Sequence, residues 1–494
     1  MGIKDIENFK EKSKFSKKDF EGRKDSKSSI DMLLVIPVRE EENHYIVPPL
    51  GLGYLATALR KEKFSVDILD CSREGLDYKG FEKRIRKLNP KIIGIQVFSY
   101  DVNPVKKAIK IIKKIDSEIK IILGGAHPTS EPNEIFNQFP EIDYAFKGES
   151  EEGLPMIVNY LLKNKEVNFS KVPGLIWKEG KKIIINEQTY DVDLDKYGFP
   201  AWDLINPKLY KNAAQGGLVG SEKYAPMTTS RGCPFQCTYC TVHIMSGRRI
   251  RYRSVKHVID EMKLLKDEFG VDEIHIIDDA FTTNKARVHE FCDELIKQKM
   301  NIKFTFPNGI RLDTLDKEIL LKMKKAGLQD FNVGIESGSD KILKDMKKSL
   351  TTKIIEEKTK LIKECGLNAN GFFIIGYPTE TREDILKTIK FSKKIPLKKA
   401  QFSMFKTYPN TEITNKLIEE GKLEELDYDN FIFYKVGYVP EGLTAKEMKK
   451  LQRKAFLGFY LRPKILWGML KDINSFEQIK FIAKRVWYSL FVSK

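Results

Sequence analysis

The residues best equipped for chemistry are three cysteines within eight positions, Cys233-Pro-Phe-Gln-Cys237-Thr-Tyr-Cys240. Cys71, Cys292 and Cys365 are scattered and read as small buried apolar side chains. A disulfide framework in a long chain would not place half of its cysteines in one loop, so the triad reads as a metal or cluster site in a reducing compartment. Thiolates this close wrap one soft centre. A structural zinc takes four ligands, and His243, three residues beyond Cys240, offers a fourth, so counting leaves zinc open. Zinc ligands usually come as two separated pairs, however. Three thiolates suit a [4Fe–4S] cluster in which one iron has no protein ligand and is open to a substrate or cofactor.

The triad needs a scaffold that exposes it at a strand end. Apolar runs at 225–230, 273–278, 302–307, 331–336, 370–375 and 400–405 alternate with helical stretches at 254–269, 284–299, 316–326, 340–366 (broken) and 381–394. Six β/α units predict an open, partial TIM-type barrel, with active residues on the loops after its strands. Ser230 to Cys240 is such a loop.

An earlier alternation covers 31–165, with strands at 32–38, 64–70, 91–99, 120–123 and 142–146 and helices at 52–62, 78–88 and 104–115. This predicts a doubly wound, Rossmann-like parallel sheet that binds ligands beyond its strands' carboxyl ends. Residues 166–222 read as a connector holding a hairpin at 174–186, and 406–494 as a mainly helical C-terminal region.

The segment CPFQCTYC resembles the radical SAM superfamily motif C-x3-C-x2-C, with its aromatic residue just before the third cysteine. The resemblance covers roughly 225–405. It implies that S-adenosylmethionine (SAM) chelates the open iron and is cleaved by one electron to a 5′-deoxyadenosyl radical. It further implies SAM contacts from Tyr239, from Asp279 in IHIIDDAFTTN, from Arg311 in FPNGIRLD, from Glu336 and Ser337 in FNVGIESGSD, and from Gly376 in GFFIIGYPTET. Bland readings exist for each: paired aspartates also cap helices, and Gly-Tyr-Pro also turns chains.

The first domain offers Gly51-Leu-Gly-Tyr-Leu-Ala56, close to a dinucleotide fingerprint. Twelve residues, among them Pro48 and Pro49, separate Val38 from Gly51, whereas a phosphate turn must follow its strand directly. PPLGLGYLATAL, LGGAHPTSEP and KGESE are instead similar to the cobalamin-binding half of B12-dependent radical SAM proteins, the family that includes anaerobic magnesium-protoporphyrin cyclases and P-methylases. That resemblance implies a cobalamin site at Pro49, Gly51, Gln96, Ser99, Gly124, Gly125, His127, Pro128, Thr129, Gly148 and Glu149. The glycines would let backbone approach a flat macrocycle. The D-x-H-x-x-G motif that supplies a lower axial histidine in other B12 enzymes is absent, and the resemblance places His127 at the corrin edge rather than on cobalt.

The expected enzyme therefore holds a [4Fe–4S] cluster, SAM and cobalamin. It transfers a methyl group to an unactivated carbon or closes a ring, and it draws electrons from a donor such as flavodoxin or ferredoxin. Two alternatives stay open: a radical SAM enzyme that no longer uses cobalamin, and a zinc-stabilised binding protein. The 494 residues carry 86 basic and 69 acidic side chains, a net +17. This surplus reads as a Lys-rich surface, since no basic run with interleaved aromatics argues for nucleic acid. No apolar run is long enough to span a bilayer, and residues 1–30 form a charged tail without a secretory core, so a cytoplasmic protein is expected. Phe476, Ile479, Ile482, Ala483, Val486 and Leu490 follow helical spacing in a basic segment. It reads either as a helix packed on the barrel or as one lying on anionic lipid, which would suit a lipid-like rather than a polar small-molecule substrate.

Overall fold

The computed structural model describes residues 29–39, 46–210, 223–428, 431 and 435–471. The charged N-terminal tail up to residue 28 and the basic C-terminal segment from 472 lie outside the described residues. Among the described residues no helix is long and apolar enough to cross a membrane.

The first domain is a seven-stranded sheet. Its elements are β1 (Met32–Ile36), α1 (Leu50–Lys61), β2 (Val66–Asp70), α2 (Tyr78–Leu88), β3 (Ile92–Gln96), α3 (Val102–Ile115), β4 (Lys120–Gly124), the short α4 (Ala126–Ser130), β5 (Tyr144–Phe146), α5 (Gly153–Lys163), β6 (Leu175–Glu179) and β7 (Lys182–Ile185). The order is β2-β1-β3-β4-β5-β6-β7. Strands β1 to β5 pair in parallel, and the hairpin read at 174–186 adds β6 and β7 antiparallel at the edge.

A strand covered on both faces must be apolar throughout, and every residue of β1 is buried. Leu33 and Val35 enter one core with Val105, Ile109 and Ile112 of α3. Met32, Leu34 and Ile36 enter the other, which runs without a break through Ala201, Trp202 and Ile205 into the interior of the barrel. The two domains thus share one apolar core.

The barrel begins with β8 (Tyr224–Met227), the two-residue β9 (Ser230–Arg231), α6 (Val242–Ser246), β10 (Arg251–Tyr252), α7 (Val255–Phe269), β11 (Glu273–Ile276), α8 (Lys285–Lys297) and β12 (Lys303–Thr305). It continues with α9 (Lys317–Ala326), β13 (Phe331–Glu336), α10 (Asp340–Asp345), α11 (Thr352–Glu364), β14 (Ala369–Ile375), α12 (Arg382–Lys394) and β15 (Leu397–Met404). The six β/α units form two parallel arcs, β12-β11-β8 and β13-β14-β15. Single bridges, Phe304 with Leu328 and Ile310 with Val333, join the arcs.

The C-terminal region supplies α13 (Glu412–Glu419), α14 (Ala445–Tyr460) and α15 (Pro463–Lys471). An open barrel leaves an edge strand with unpaired backbone groups. Here α14 covers β15: Tyr460 Oη bonds both the N–H and the carbonyl of Ala400 at 3.2 and 2.8 Å, and Gln452 donates to the Phe402 carbonyl at 2.8 Å.

Candidate active-site cleft

The cysteine loop leaves β9 through Gly232, whose φ of +98° and contact with the Arg249 carbonyl admit only glycine. Cys233, Cys237 and Cys240 are half-buried. Burial raises the Cys233 thiol's pKa and pushes that of Cys240 up to about 12, and each thiol feels the charge of its neighbours. Two buried cations flank the loop. Arg311 stacks 3.6 Å over the Phe235 ring, pairs with Asp313 at 2.9 Å and donates to the Lys348 carbonyl at 2.9 Å. Lys348 donates to Glu336 at 2.7 Å. Burial opposes the charge of Lys348, yet Glu336 and Cys237 outweigh it and raise its pKa. Among the described residues no three His, Cys, Asp or Glu side chains, the three thiols included, are drawn together closely enough to hold a metal ion. The His243 ring bonds the Cys240 backbone.

Between the two domains, reaching Ser230 and Arg231 just before this loop, lies a cleft of ≈ 340 Å³. Its barrel wall holds Thr228, Ser230, Arg231, Ser246, Ile277 and Asp279. Its other wall is the carboxyl end of the first sheet: Gly51, Gln96, Gly124, Gly125, Gly148 and Glu149 over an apolar floor that includes Met32, Leu34, Ile122 and Phe146. A Cβ added at Gly51 or Gly124 would meet nothing within 4 Å, so at these points bare backbone faces open space. Gly125 and Gly148 have φ of +104° and +73°. Thr129 ties these two turns together, donating to the Gly125 carbonyl at 2.7 Å and accepting from Gly148 N–H at 2.9 Å.

The two aspartates after β11 divide the work. Asp278 is buried and accepts from Thr229 N–H, Thr229 Oγ1 and Ser230 Oγ at 2.5 to 2.6 Å, so it fixes the strand that feeds the cysteine loop. Asp279 faces the cleft, and burial together with Asp278 pushes its pKa up to about 6.

The structure gathers the other expected residues unevenly. Tyr239 is hydrogen-bonded to Glu336, and burial raises its phenol's pKa well above the usual value. Glu336 sits at a bulge ending β13 with φ of +65° and is engaged by Lys348. Ser337 is fully buried, bonded to Thr388 at 3.1 Å and to Ser339 N–H at 3.2 Å. Gly376 turns the chain after β14 with φ of +88°, its N–H donating to Glu380 at 2.7 Å. Pro49 is buried at the start of α1, its carbonyl accepting from Gly53 N–H at 3.0 Å.

His127, expected at the edge of the ligand, is fully buried. Its ring nitrogens engage Ser99 Oγ at 3.2 Å and Gln138 Oε1 at 2.5 Å, and Tyr428 packs edge-on at 5.1 Å. Burial lowers its pKa. His127, Ser99, Pro128 and Thr129 therefore brace the glycine wall from behind rather than line the cleft.

Glu149 does line the cleft, but its carboxylate is committed to the barrel. It pairs with Arg231 at 3.0 Å and with the buried Arg251 at 2.9 Å, while Glu151 takes the other arm of Arg231 at 2.7 Å. Sequence reading missed Arg231, Arg251 and Lys348. Their partners lie 82, 102 and 12 positions away, or 80 for the Arg231–Glu151 pair, and a basic composition hides single lysines and arginines.

A glycine-walled parallel sheet facing the strand ends of an open barrel with a half-buried cysteine triad defines an enzyme of two cofactor halves. Residues 41–158 match the B12 binding domain and residues 227–392 the radical SAM superfamily. An uncharacterised methyltransferase of Pyrococcus horikoshii is 35% identical over 460 residues, covering 92% of this chain and 96% of that protein. The anaerobic magnesium-protoporphyrin IX monomethyl ester cyclase of Cereibacter sphaeroides is 26% identical, covering 84% and 67%. Among solved structures, the radical SAM methyltransferase TsrM from Kitasatospora setae, with tryptophan and a SAM analogue bound, has a TM-score of 0.67 at 20% identity, covering 79% and 76%. The chain belongs to the cobalamin-binding radical SAM family of methyltransferases and cyclases, and its cofactors are a [4Fe–4S] cluster, SAM and cobalamin. The site fits them. Three free, half-buried thiols on one short loop suit the cluster, buried Arg311 and Lys348 offset its negative charge, and the open Gly51 and Gly124 give a macrocycle bare backbone to lie against.

Proposed function

We propose that this chain methylates an unactivated carbon of a small molecule. The carrying observation is the single cleft walled on one side by the glycine turns and on the other by Ser230 and Asp279 at the strand ends beside the cysteine loop, so a substrate there faces both cofactors. When bound, the reduced cluster and SAM supply a 5′-deoxyadenosyl radical and methylcobalamin supplies the methyl group. Cys233, Cys237 and Cys240 hold the iron. Arg311 and Lys348 balance the thiolate charge, and the Glu336–Lys348 pair anchors Tyr239 and with it the loop. Gly51, Gly124, Gly125 and Gly148 bring backbone to the corrin, Thr129 fixes their spacing, and the apolar floor keeps water from a reactive radical. Methyl transfer is preferred over ring closure because the relative matched over nearly its full length is named an uncharacterised methyltransferase.

The test uses protein reconstituted anaerobically with iron, sulfide and hydroxocobalamin. Wild type should bind about four irons, show a protein-bound cobalamin spectrum, and yield 5′-deoxyadenosine from SAM under dithionite. Cys237→Ala should lose the iron and the 5′-deoxyadenosine while keeping the cobalamin spectrum. A colourless, iron-free wild type, or undiminished SAM cleavage by the variant, refutes the assignment.

A further inference from the structure

One-electron cleavage of SAM needs an electron that no residue of this chain supplies, so the reading above, on which this inference rests, requires a carrier to reach the cysteine loop from outside. The loop surfaces at one place: Pro234 and Gln236 are exposed on either side of Phe235, each adjacent to a half-buried thiol.

Two cationic segments frame that outlet. On one side, residues 246–249 fold over the loop. Cys233 N–H donates to the Gly247 carbonyl at 3.1 Å, and the Arg248 guanidinium donates to the Phe235 carbonyl at 3.1 Å. Arg248 and Arg249 are both exposed. On the other side, Thr238 N–H donates to the Met346 carbonyl at 3.2 Å, and Lys344 and Lys347 stand exposed beside it. The two sides meet on one short loop, because Arg248 bonds Phe235 while Met346 and Ile413 bond Thr238 three residues on, and Glu412 beside Ile413 pairs with Lys347 at 2.6 Å. Against these four cations stand two carboxylates, Glu412 and half-buried Asp345, the latter accepting from Thr379. The face remains positive where the loop emerges.

We propose that Arg248, Arg249, Lys344 and Lys347 form the docking surface for a small acidic one-electron carrier protein. The carrier leaves oxidised by one electron. The cluster passes that electron to SAM, whose S–C5′ bond breaks to give methionine and the 5′-deoxyadenosyl radical. A compact patch centred on one outlet suits a brief, charge-steered encounter of small area, as electron-transfer partners make. A nucleic-acid stripe would instead extend along a groove or helix.

The test compares two reductants on the reconstituted holoenzyme. The probe is reduced flavodoxin, the control is dithionite, and the variant is Arg249→Glu/Lys344→Glu, at residues outside the cofactor machinery. With flavodoxin the variant's 5′-deoxyadenosine rate should fall at least about tenfold, and the wild-type rate should fall steeply as ionic strength rises from about 0.05 to 0.5 M. With dithionite the two proteins should agree within about twofold, since a small anionic reductant needs no docked pose. An unchanged flavodoxin rate in the variant overturns the proposal, and so does equal loss with both reductants. So does loss of oligonucleotide binding while the flavodoxin rate stays intact, which would give the face to nucleic acid. Failure of wild type with dithionite would instead sink the radical SAM reading itself.

Discussion

On the first-domain side of the cleft, backbone does the shaping: Gly51, Gly124, Gly125 and Gly148 present bare chain, and Thr129 spaces two of the turns with one uncharged hydroxyl. On the barrel side, paired charges do it. Asp278 clamps Thr229 and Ser230, Arg231 and Arg251 are pinned by glutamates, and Lys348 is held by Glu336. The difference follows what each wall meets. A macrocycle presents a broad face to be approached closely, which favours absent side chains. A negatively charged cluster and a sulfonium present charge, which favours preorganised charge. The walls meet at Glu149, a first-domain residue on the glycine wall whose carboxylate belongs to the barrel's arginines.

Glu149 therefore gives the largest expected effect. Glu149→Gln leaves Arg251, whose side chain is 1% exposed, without its charge partner. Breaking a buried pair from one side costs about 3–5 kcal/mol. Thermal unfolding should show that loss, and hydrogen exchange should rise in both 147–151 and 230–253 if the pair ties the walls together. Exchange confined to one segment would mean that each wall stands alone.

The next effect separates shape from strain within the glycine wall. Gly124→Val puts a side chain into open cleft at a position with ordinary φ, so folding should be nearly unaffected while hydroxocobalamin affinity drops at least about tenfold, or about 1.4 kcal/mol. Gly125→Ala forces a Cβ to a φ of +104° and to 3.1 Å from the Val97 carbonyl, so it should lower stability by about 1–3 kcal/mol. Titration followed by absorbance, paired with melting curves, distinguishes them. Equal affinity for Gly124→Val and wild type would remove that glycine from the cobalamin site.

How much of this was legible in the sequence follows the same division. Continuous apolar runs such as Met32–Ile36 and the period of Val105, Ile109 and Ile112 fix strands and helices locally, and β1 to β5, α2 and the six barrel strands fall where the pattern puts them. The thiol spacing and the glycine doublet Gly124-Gly125 are local too. His127 shows the limit: a histidine in a ligand loop looks the same in sequence whether it points at the ligand or, as here, into the core between Ser99 and Gln138. The burial of Ser337 is hidden for the same reason, since its partner Thr388 lies 51 residues on. The Glu149–Arg251 and Glu151–Arg231 pairs are contacts between domains, and nothing in either segment alone announces the other.

The smallest effect sets the uncharged brace of one wall against its charged counterpart on the other. Thr129 ties the glycine turns with a hydroxyl that does not titrate. After β14 the equivalent task falls to Glu380, whose Oε2 accepts from the N–H groups of Gly376 and Tyr377 at 2.7 and 3.3 Å. Its Oε1 has no partner among the described residues, and the residue is 1% exposed. Burial pushes its pKa up to about 8, against the pull of those two N–H groups, so the acid is neutral in the folded chain at pH 7 and ionised in the unfolded one. A carboxyl whose folded pKa is raised stabilises fully below its unfolded value, near 4.3, and loses that contribution as pH rises towards 8. Glu380→Gln keeps the accepting oxygen and removes the titration. The variant should lie closest to wild type near pH 5 and gain on it steadily in Tm up to pH 8, as the wild type loses the contribution of its neutral acid. Thr129→Ser should run parallel to wild type across the same range. Melting curves at matched ionic strength that stay parallel for Glu380→Gln would mean that this carboxyl is ionised in the fold, and the barrel's turn would then be braced by charge like the rest of its wall.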